Sequence, residues 1–307
     1  MMTLFLIFVG ALVKSHDAGL SVPDWPNTYG QFMYAFPIDL WRANIFYEHS
    51  HRLLASFVGF LILVQAFMLW RLESRSWVKR LGWLALAAVI AQGILGGLTV
   101  IFLLPTWIST SHASLAQTTL CIATAIALVT SRKWDDDTVK VQESGSSLRT
   151  LSKYTVAAIF LQLVFGAVMR HEEAGLAIAT WPLANGSLIP HFSDLGVVLN
   201  FIHRTWAWVV AVLIFTTAIK SLRAYRTERS FRTPAIFSML LVLVQITLGA
   251  ITIWSGKEPN WTSLHVMNGA AVLMTEVILA IRIHHRLRMA ASDRIAAGAV
   301  TSPSIVS

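Results

Sequence analysis

Charge is what this 307-residue chain has least of. Only 13% of its residues are Asp, Glu, Lys or Arg, against about 25% in ordinary soluble domains. With 55% hydrophobic residues and a mean hydropathy of +0.62, that scarcity excludes a soluble domain and indicates a polytopic membrane protein. Cysteine is almost missing as well. The single Cys121 lies inside an apolar run, so there is no disulfide framework and no thiolate metal site. A bound metal would have to be held by histidine, of which there are ten. No paired Asp-rich motif of the kind that holds magnesium diphosphate is present, since Asp135 to Asp137 fall in a basic loop; this argues against prenyl transfer. The net charge of +8 is read as basic cytoplasmic loops rather than as a nucleic-acid surface.

What is present is apolar length. Seven full spans run roughly over 45–70, 81–104, 108–131, 151–171, 198–220, 233–255 and 261–283. Met1 to Val13 is shorter than the ~20 residues a span needs. It lacks a basic leader and a clear cleavage site, and the internal repeat makes it a first helix whose native start is expected upstream of Met1. The expected fold is all-α, with eight transmembrane helices in two tandem four-helix bundles. Eighteen of the 24 Lys and Arg lie in alternate loops and at the end of the last span, which predicts that both termini are cytoplasmic in a cell membrane. Loops 15–44 and 172–197, rich in Trp, Pro and Gly, then face outward. The expected units are 1–131, a polar linker at 132–149, 150–285, and a tail at 286–307.

The halves repeat. Gly10-Ala11, Ala18-Gly19-Leu20, Trp25-Pro26 and Gly30 recur 156 residues later as Gly166-Ala167, Ala174-Gly175-Leu176, Trp181-Pro182 and Gly186. Leu95-Gly96, Thr99 and His112 recur at an offset of 153 as Leu248-Gly249, Thr252 and His265. Four helices per half place both copies in the same orientation.

His51, His112, His203 and His265 each fall near the outer end of an outward-to-inward helix, so the four share one depth. The spacing is 61 residues in the first half and 62 in the second. Two histidines at equal depth on neighbouring helices can ligate one haem iron from opposite faces. Gly93, Gly96, Gly97 and Gly249 would leave room for a flat macrocycle. Zinc would need further clustered ligands, and a proton relay would not explain the twofold repetition. Haem is the better reading.

Glu48-His49-Ser50-His51-Arg52 breaks the symmetry. His51-Arg52 is echoed by His203-Arg204, but the position of Glu48 is taken by Asn200. Two related sites are implied, of which one carries chemistry. Glu48 shares a helix face with His51 and could act as a base at the porphyrin edge. Alternatively it is an ion-pair partner of Arg52. Arg52 and Arg204 are also candidates to face haem propionates. His49 points about 200° away from His51 and is read as a bystander. Glu276 is either a proton-path residue or, better, a hydrogen-bonded structural carboxyl. His16, His171 and His191 are expected in solvated loops, as are Asp17 and Asp24, and His284 and His285 near headgroups.

These residues resemble the haem A synthase family over roughly residues 1 to 285. The resemblance rests on Gly19-Leu20-Ser21-Val22-Pro23-Asp24-Trp25-Pro26, Glu48-x-x-His51-Arg52, His112, His203-Arg204, and His265 with Asn268-Gly269. It implies oxidation of a ring methyl of haem O to a formyl group, through hydroxylated intermediates. It further implies a resident haem b on His203 and His265, substrate haem O on His51 and His112, and a required acidic residue at Glu48. Haem O synthase, terminal oxidase assembly and an electron donor are implied as partners, within the lipid bilayer and without nucleic acid. The cysteine pair that some members carry in the first outer loop is missing here. A dihaem electron-transfer cytochrome, which would not need Glu48, and a haem transporter or chaperone, which would not need an electron donor, are the alternatives.

Overall fold

The computed structural model describes residues 1–132, 134 and 145–300. Among the described residues are eight α-helices and, apart from two isolated β-bridges, no strand. They are α1 (Met2–Ser15), α2 (Ala43–Leu72), α3 (Ser76–Ile101), α4 (Thr106–Val129), α5 (Gly145–His171), α6 (Leu195–Ala224), α7 (Arg229–Trp254) and α8 (Pro259–Val300). Seven are long and apolar enough to cross a membrane, and α1, at 14 residues, reaches about 21 Å. The chain is an all-α, multi-pass membrane protein.

Helices α2, α6 and α8 outrun the apolar runs that predict them at both ends, because hydropathy marks the lipid-facing stretch and not the hydrogen-bonded one, whereas α3, α4 and α7 begin earlier than expected and end sooner. The linker expected at 132–149 lies mostly outside the described residues, and its last five residues already belong to α5. The tail expected from 286 is a continuation of α8 to Val300. Its Arg, Ala and Met content favours helix even where hydropathy has fallen.

Within each half, consecutive helices pack side by side. The halves then meet through α1 on α8, α5 on α4, and α4 on α8. Leu4, Leu120 and Ala270 form the apolar centre of that seam. The repeat extends to the backbone. Positive φ occurs at Asp17 and Glu173, at Tyr29-Gly30 and Asn185-Gly186, and at Leu103-Leu104 and Gly256-Lys257, all at the sequence offsets of the repeat. Tyr29-Gly30 and Asn185-Gly186 are tight turns closed by the bridges Thr28–Gln31 and Ala184–Ser187. Two consecutive positive-φ residues make a turn of this kind, and a glycine in the second position relieves it. Leucine at 103 and 104 accepts φ of 59° and 61° where the second half uses glycine at 256. The α3–α4 corner is therefore held by its surroundings and not by local preference.

Candidate functional site

His51 and His203 are the ninth residues of α2 and α6, and His112 and His265 are the seventh of α4 and α8. At 1.5 Å per residue all four sit about 9–12 Å from the helix starts, at one level. Each imidazole is laid against a glycine of the preceding helix. A Cβ built on Gly10 would lie 2.9 Å from His51 Cε1, and one on Gly96 would lie 3.1 Å from His112 Cε1. The same holds for Gly166 with His203 at 2.9 Å and Gly249 with His265 at 3.1 Å. The repeated glycines therefore seat the rings. Gly96 and Gly249 do not clear space for a macrocycle as expected, and Gly97 is covered by the Trp25 indole; of the four, Gly93 alone faces open space.

The His203 and His265 ring centres are 6.5 Å apart. A metal held between two imidazoles, with bonds of about 2.0–2.1 Å and about 1.1 Å from nitrogen to ring centre, would separate them by roughly 6.3 Å. The spacing fits one iron. Nδ1 of His51, His112 and His265 is buried without a hydrogen-bond partner on the ring edge that faces the glycine, which leaves Nε2 as the nitrogen available to a ligand. Three glutamines, not singled out from the sequence, surround the rings. Gln162 Nε2 lies 3.1 Å from His203 Nδ1, Gln245 Nε2 lies 3.2 Å from His265 Nε2, and Gln92 Nε2 donates to the His112 carbonyl at 2.8 Å. Asn268 in turn donates to Gln245 Oε1 at 2.8 Å. Gln92 and Gln245 stand at the repeat offset, a signal that the sequence did contain. Gln162 has Leu6 as its counterpart, so the second pair has the more polar surroundings.

Glu48 is almost wholly buried and fully engaged. Its Oε1 pairs with Arg52 at 2.6 Å, and its Oε2 accepts the Val22 amide at 2.7 Å. Arg52 also donates to the carbonyls of Asp24 (2.7 Å), Asn27 (3.1 Å) and Val22 (2.8 Å). The pair therefore ties the first outer loop to α2, with the Arg52 guanidinium bound to the loop and to Glu48. Asn200 performs the equivalent task with a neutral amide, donating to Ala174 O at 2.9 Å and Gly175 O at 3.0 Å. Arg204 donates to Thr180 O and has a buried Nε without a partner, so it keeps a donor available. His49 is fully buried, 3.2 Å from Thr28 Oγ1 and packed by Phe36 and Trp41; it belongs to the loop and not to the His51 pair.

The model of the cytochrome oxidase assembly protein family matches residues 1–277. The chain belongs to that family. Relatives include a heme A synthase of Halalkalibacterium halodurans, 28% identical over 92% of this chain and 93% of the relative. Heme A synthases of Chelativorans sp. and Pelagibacter ubique are 27% and 26% identical, over 82% and 89% of this chain and 80% and 91% of theirs.

In this member of the assembly family, several residues expected in solvated loops are structural. Asp24 accepts the Tyr29 and Gly30 amides at 2.8 and 2.7 Å. Partial burial alone would raise its carboxyl, but those amides and Arg52 outweigh it and hold it below the ordinary range. His16 stacks on Tyr47 at 4.0 Å and His171 ends α5, half-buried; His191 and Asp17 are exposed as expected. His284 lies against Arg149 at 3.3 Å, and His285 stacks on Trp134. The outer edge of the seam has its own network. Arg170 donates to Ala11 O (2.8 Å) and Ser15 Oγ (2.7 Å), and Ser15 meets Ser263 at 2.9 Å. Glu173 bridges Lys14 and Lys257. Burial would raise the Glu173 carboxyl, yet the two lysines prevail and lower it.

Proposed function

We propose that this protein is a haem A synthase, a membrane oxidoreductase that converts the methyl of haem O to the formyl of haem A for terminal oxidase assembly. The observation that carries the reading is the fourfold placement of histidine on glycine, in two pairs at one depth, in a chain of the cytochrome oxidase assembly family. His203 and His265, with their imidazoles spaced for one iron, hold a resident haem b that supplies one-electron chemistry. Gln162, Gln245 and Asn268 orient those rings, and Arg204 offers a donor to a propionate. His51 and His112 hold the substrate haem O. Residues 1–131 form the substrate half and 150–285 the haem b half. Both termini are cytoplasmic in the cell membrane, in keeping with the basic loops, and an electron donor and haem O synthase are the further partners.

In the substrate half the outer loop closes over the site, with Trp25 on Gly97 and the loop backbone pinned by Arg52. That closure keeps water from the reacting substituent. Glu48 is the one carboxylate at this level that the second half lacks. Its burial on Arg52 keeps a fixed negative charge beside the loop, where it stabilises positive charge developing on the ring substituent or accepts its proton.

The ion pair also supports a second reading, in which Glu48 only fastens the loop. Glu48→Gln separates the two, because Asn200 demonstrates that an amide at this position can hold such a loop. The variant should retain haem b and the folded loop but lose haem A formation, measured by reverse-phase chromatography of haems extracted from a host that makes haem O. Full haem A formation by Glu48→Gln would reduce Glu48 to a fastener. Haem b alone from the unaltered protein, with haem O plentiful, would favour the electron-transfer cytochrome.

A further inference from the structure

The core of the C-terminal half is divided by a polar layer. On its outer side lie Ala158, Ile214, Val242 and Leu273, and on its inner side Leu148, Ala218, Ala235 and Leu279. Between them lie Thr155 from α5, Thr217 from α6, Ser238 from α7 and Glu276 from α8, the last beside Thr275, whose hydroxyl donates to Ala271 O. All four are essentially inaccessible. The two threonine hydroxyls are 2.7 Å apart, and Ser238 donates to Ala235 O at 3.1 Å. Glu276 interacts with Ser238, but neither of its oxygens makes a hydrogen bond of normal geometry. The expected hydrogen-bonded structural carboxyl is therefore not what is found. One turn inward of Thr217, Ser221 Oγ is also buried without a partner, which continues the polar line toward the cytoplasmic end.

The fold does not require the serine or the carboxyl of this layer, although Thr217 has a polar counterpart in Gln65. The repeat places Ala85 opposite Ser238 and Ala123 opposite Glu276, and Ala85 sits in an ordinary apolar cluster with Val58, Ile62 and Ile126. A carboxyl attended only by the Ser238 hydroxyl, with no cation beside it, is expensive inside a membrane protein and marks a use. It belongs to the half read as holding the resident haem. Helix α8 packs on α1, α4, α5 and α7; on α5, Lys153 and the exposed Tyr154 come directly before Thr155 of the layer, and the other titratable groups lie toward the helix ends, with one exception. Lys14, His112, Arg170 and His171 are at the outer end, and the Met1 amine, Arg149, Arg229 and Arg232 at the inner end. The exception is the Cys121 thiol of α4, which packs on the outer apolar cluster. On α8 itself the closest charge is Arg282, nearly two turns inward.

We propose that Glu276 is the redox-linked proton site of the C-terminal half; this rests on the reading that His203 and His265 hold a haem. As one electron from a reduced donor of the hydroquinone class arrives between those histidines, the Glu276 carboxylate binds one proton drawn from the cytoplasmic side. As the electron leaves, the proton is released; the only other bond change is in the donor, whose hydroxyl O–H breaks and loses its proton as it gives up the electron and becomes a semiquinone. Glu276 follows His265 by eleven residues on α8, about 16 Å along the axis. Unit charges at that distance, in an effective dielectric of about 20, change each other's equilibria roughly fivefold.

The test uses the full-length protein with its haem bound. The reduction equilibrium of that haem should change about fivefold in total between acid and alkaline limits, and a protonated-carboxyl stretch should appear in the infrared difference spectrum on reduction. Glu276→Gln, which matches the neutral acid in shape, should abolish both while leaving the visible haem spectrum in place. A pH-independent midpoint in the unaltered protein would overturn the proposal. So would a pH dependence that survives in Glu276→Gln, or a midpoint that follows sodium concentration instead of pH. If Glu276→Gln does not insert, the unaltered protein decides alone, since no carboxyl band on reduction is a refutation. A haem of unaltered midpoint and visible spectrum in His203→Ala would instead refute the underlying haem assignment, and the proton site with it, whereas a haem held by His51 and His112 would differ in both.

Discussion

Gly166→Ala should weaken the haem binding proposed for the second half without unfolding the bundle. A Cβ at Gly166 would stand 2.9 Å from His203 Cε1, whereas carbon atoms in contact settle at about 3.5–4.0 Å. The ring must therefore retreat by at least about 0.6 Å, three times the ~0.2 Å tolerance of a metal–ligand bond. Gly249→Ala, starting from 3.1 Å to His265, asks for about 0.4 Å and should be milder. Overpacking of this size costs about 1–3 kcal/mol, so haem retention should fall roughly fivefold to a hundredfold. The control is Gly93→Ala, whose Cβ meets nothing within 4 Å. Haem per protein and the reduced-minus-oxidised visible spectrum of the purified variants provide the measurement. The order expected is Gly93→Ala unchanged, Gly249→Ala weakened, Gly166→Ala weakest. Unaltered stoichiometry and spectrum in Gly166→Ala would show that the glycine does not position the imidazole, and the fourfold seat would lose its functional meaning.

Gly97→Ala should dislodge Trp25, whose indole occupies the space of the missing Cβ. Faster proteolysis of residues 16–42 is the expected result, and an unchanged cleavage rate would refute it. Asp24 has a carboxyl held below its ordinary value. It stabilises the loop above the unfolded value of about 3.9, and that contribution disappears as pH falls through the lower folded value. Tryptophan fluorescence of the loop should therefore report acid-induced loosening below about pH 4. Asp24→Asn should loosen the loop at neutral pH and flatten the acid profile; superimposable profiles would refute the assignment.

The parts of this structure that were legible in the sequence are those set by composition and register. Apolar runs gave seven spans because lipid selects hydropathy directly, and the offsets of 152–156 residues gave the parallel halves because duplicated contacts keep duplicated residues. The histidines were legible for the same reason. Periodicity could not indicate what each glycine faces, because helical spacing fixes a residue's side of its own helix and not the partner across it. Gly96 and Gly249 thus read in sequence as room for a macrocycle, while their space is filled by His112 and His265. Gln162 escaped notice because its repeat counterpart is Leu6, so symmetry, the strongest signal available, argued against it.

The differences between the halves carry the functional content. Both outer loops must be fastened to the helix that bears the first histidine of each pair, and Asn200 accomplishes this with a neutral amide. In the first half the same fastening is made by a buried carboxylate and guanidinium. A buried ion pair is seldom the more stable solution, since both charges lose their hydration. Fastening alone would therefore favour an amide in both halves. A carboxylate at position 48 is better explained by a need for charge at that spot. The same logic applies in reverse to Glu276, where Ala123 shows that the repeat can do without a carboxyl. One acidic group distinguishes the outer site of the first half, and another the inner core of the second. Each sits where its symmetry mate is uncharged, so the duplicated scaffold accounts for neither.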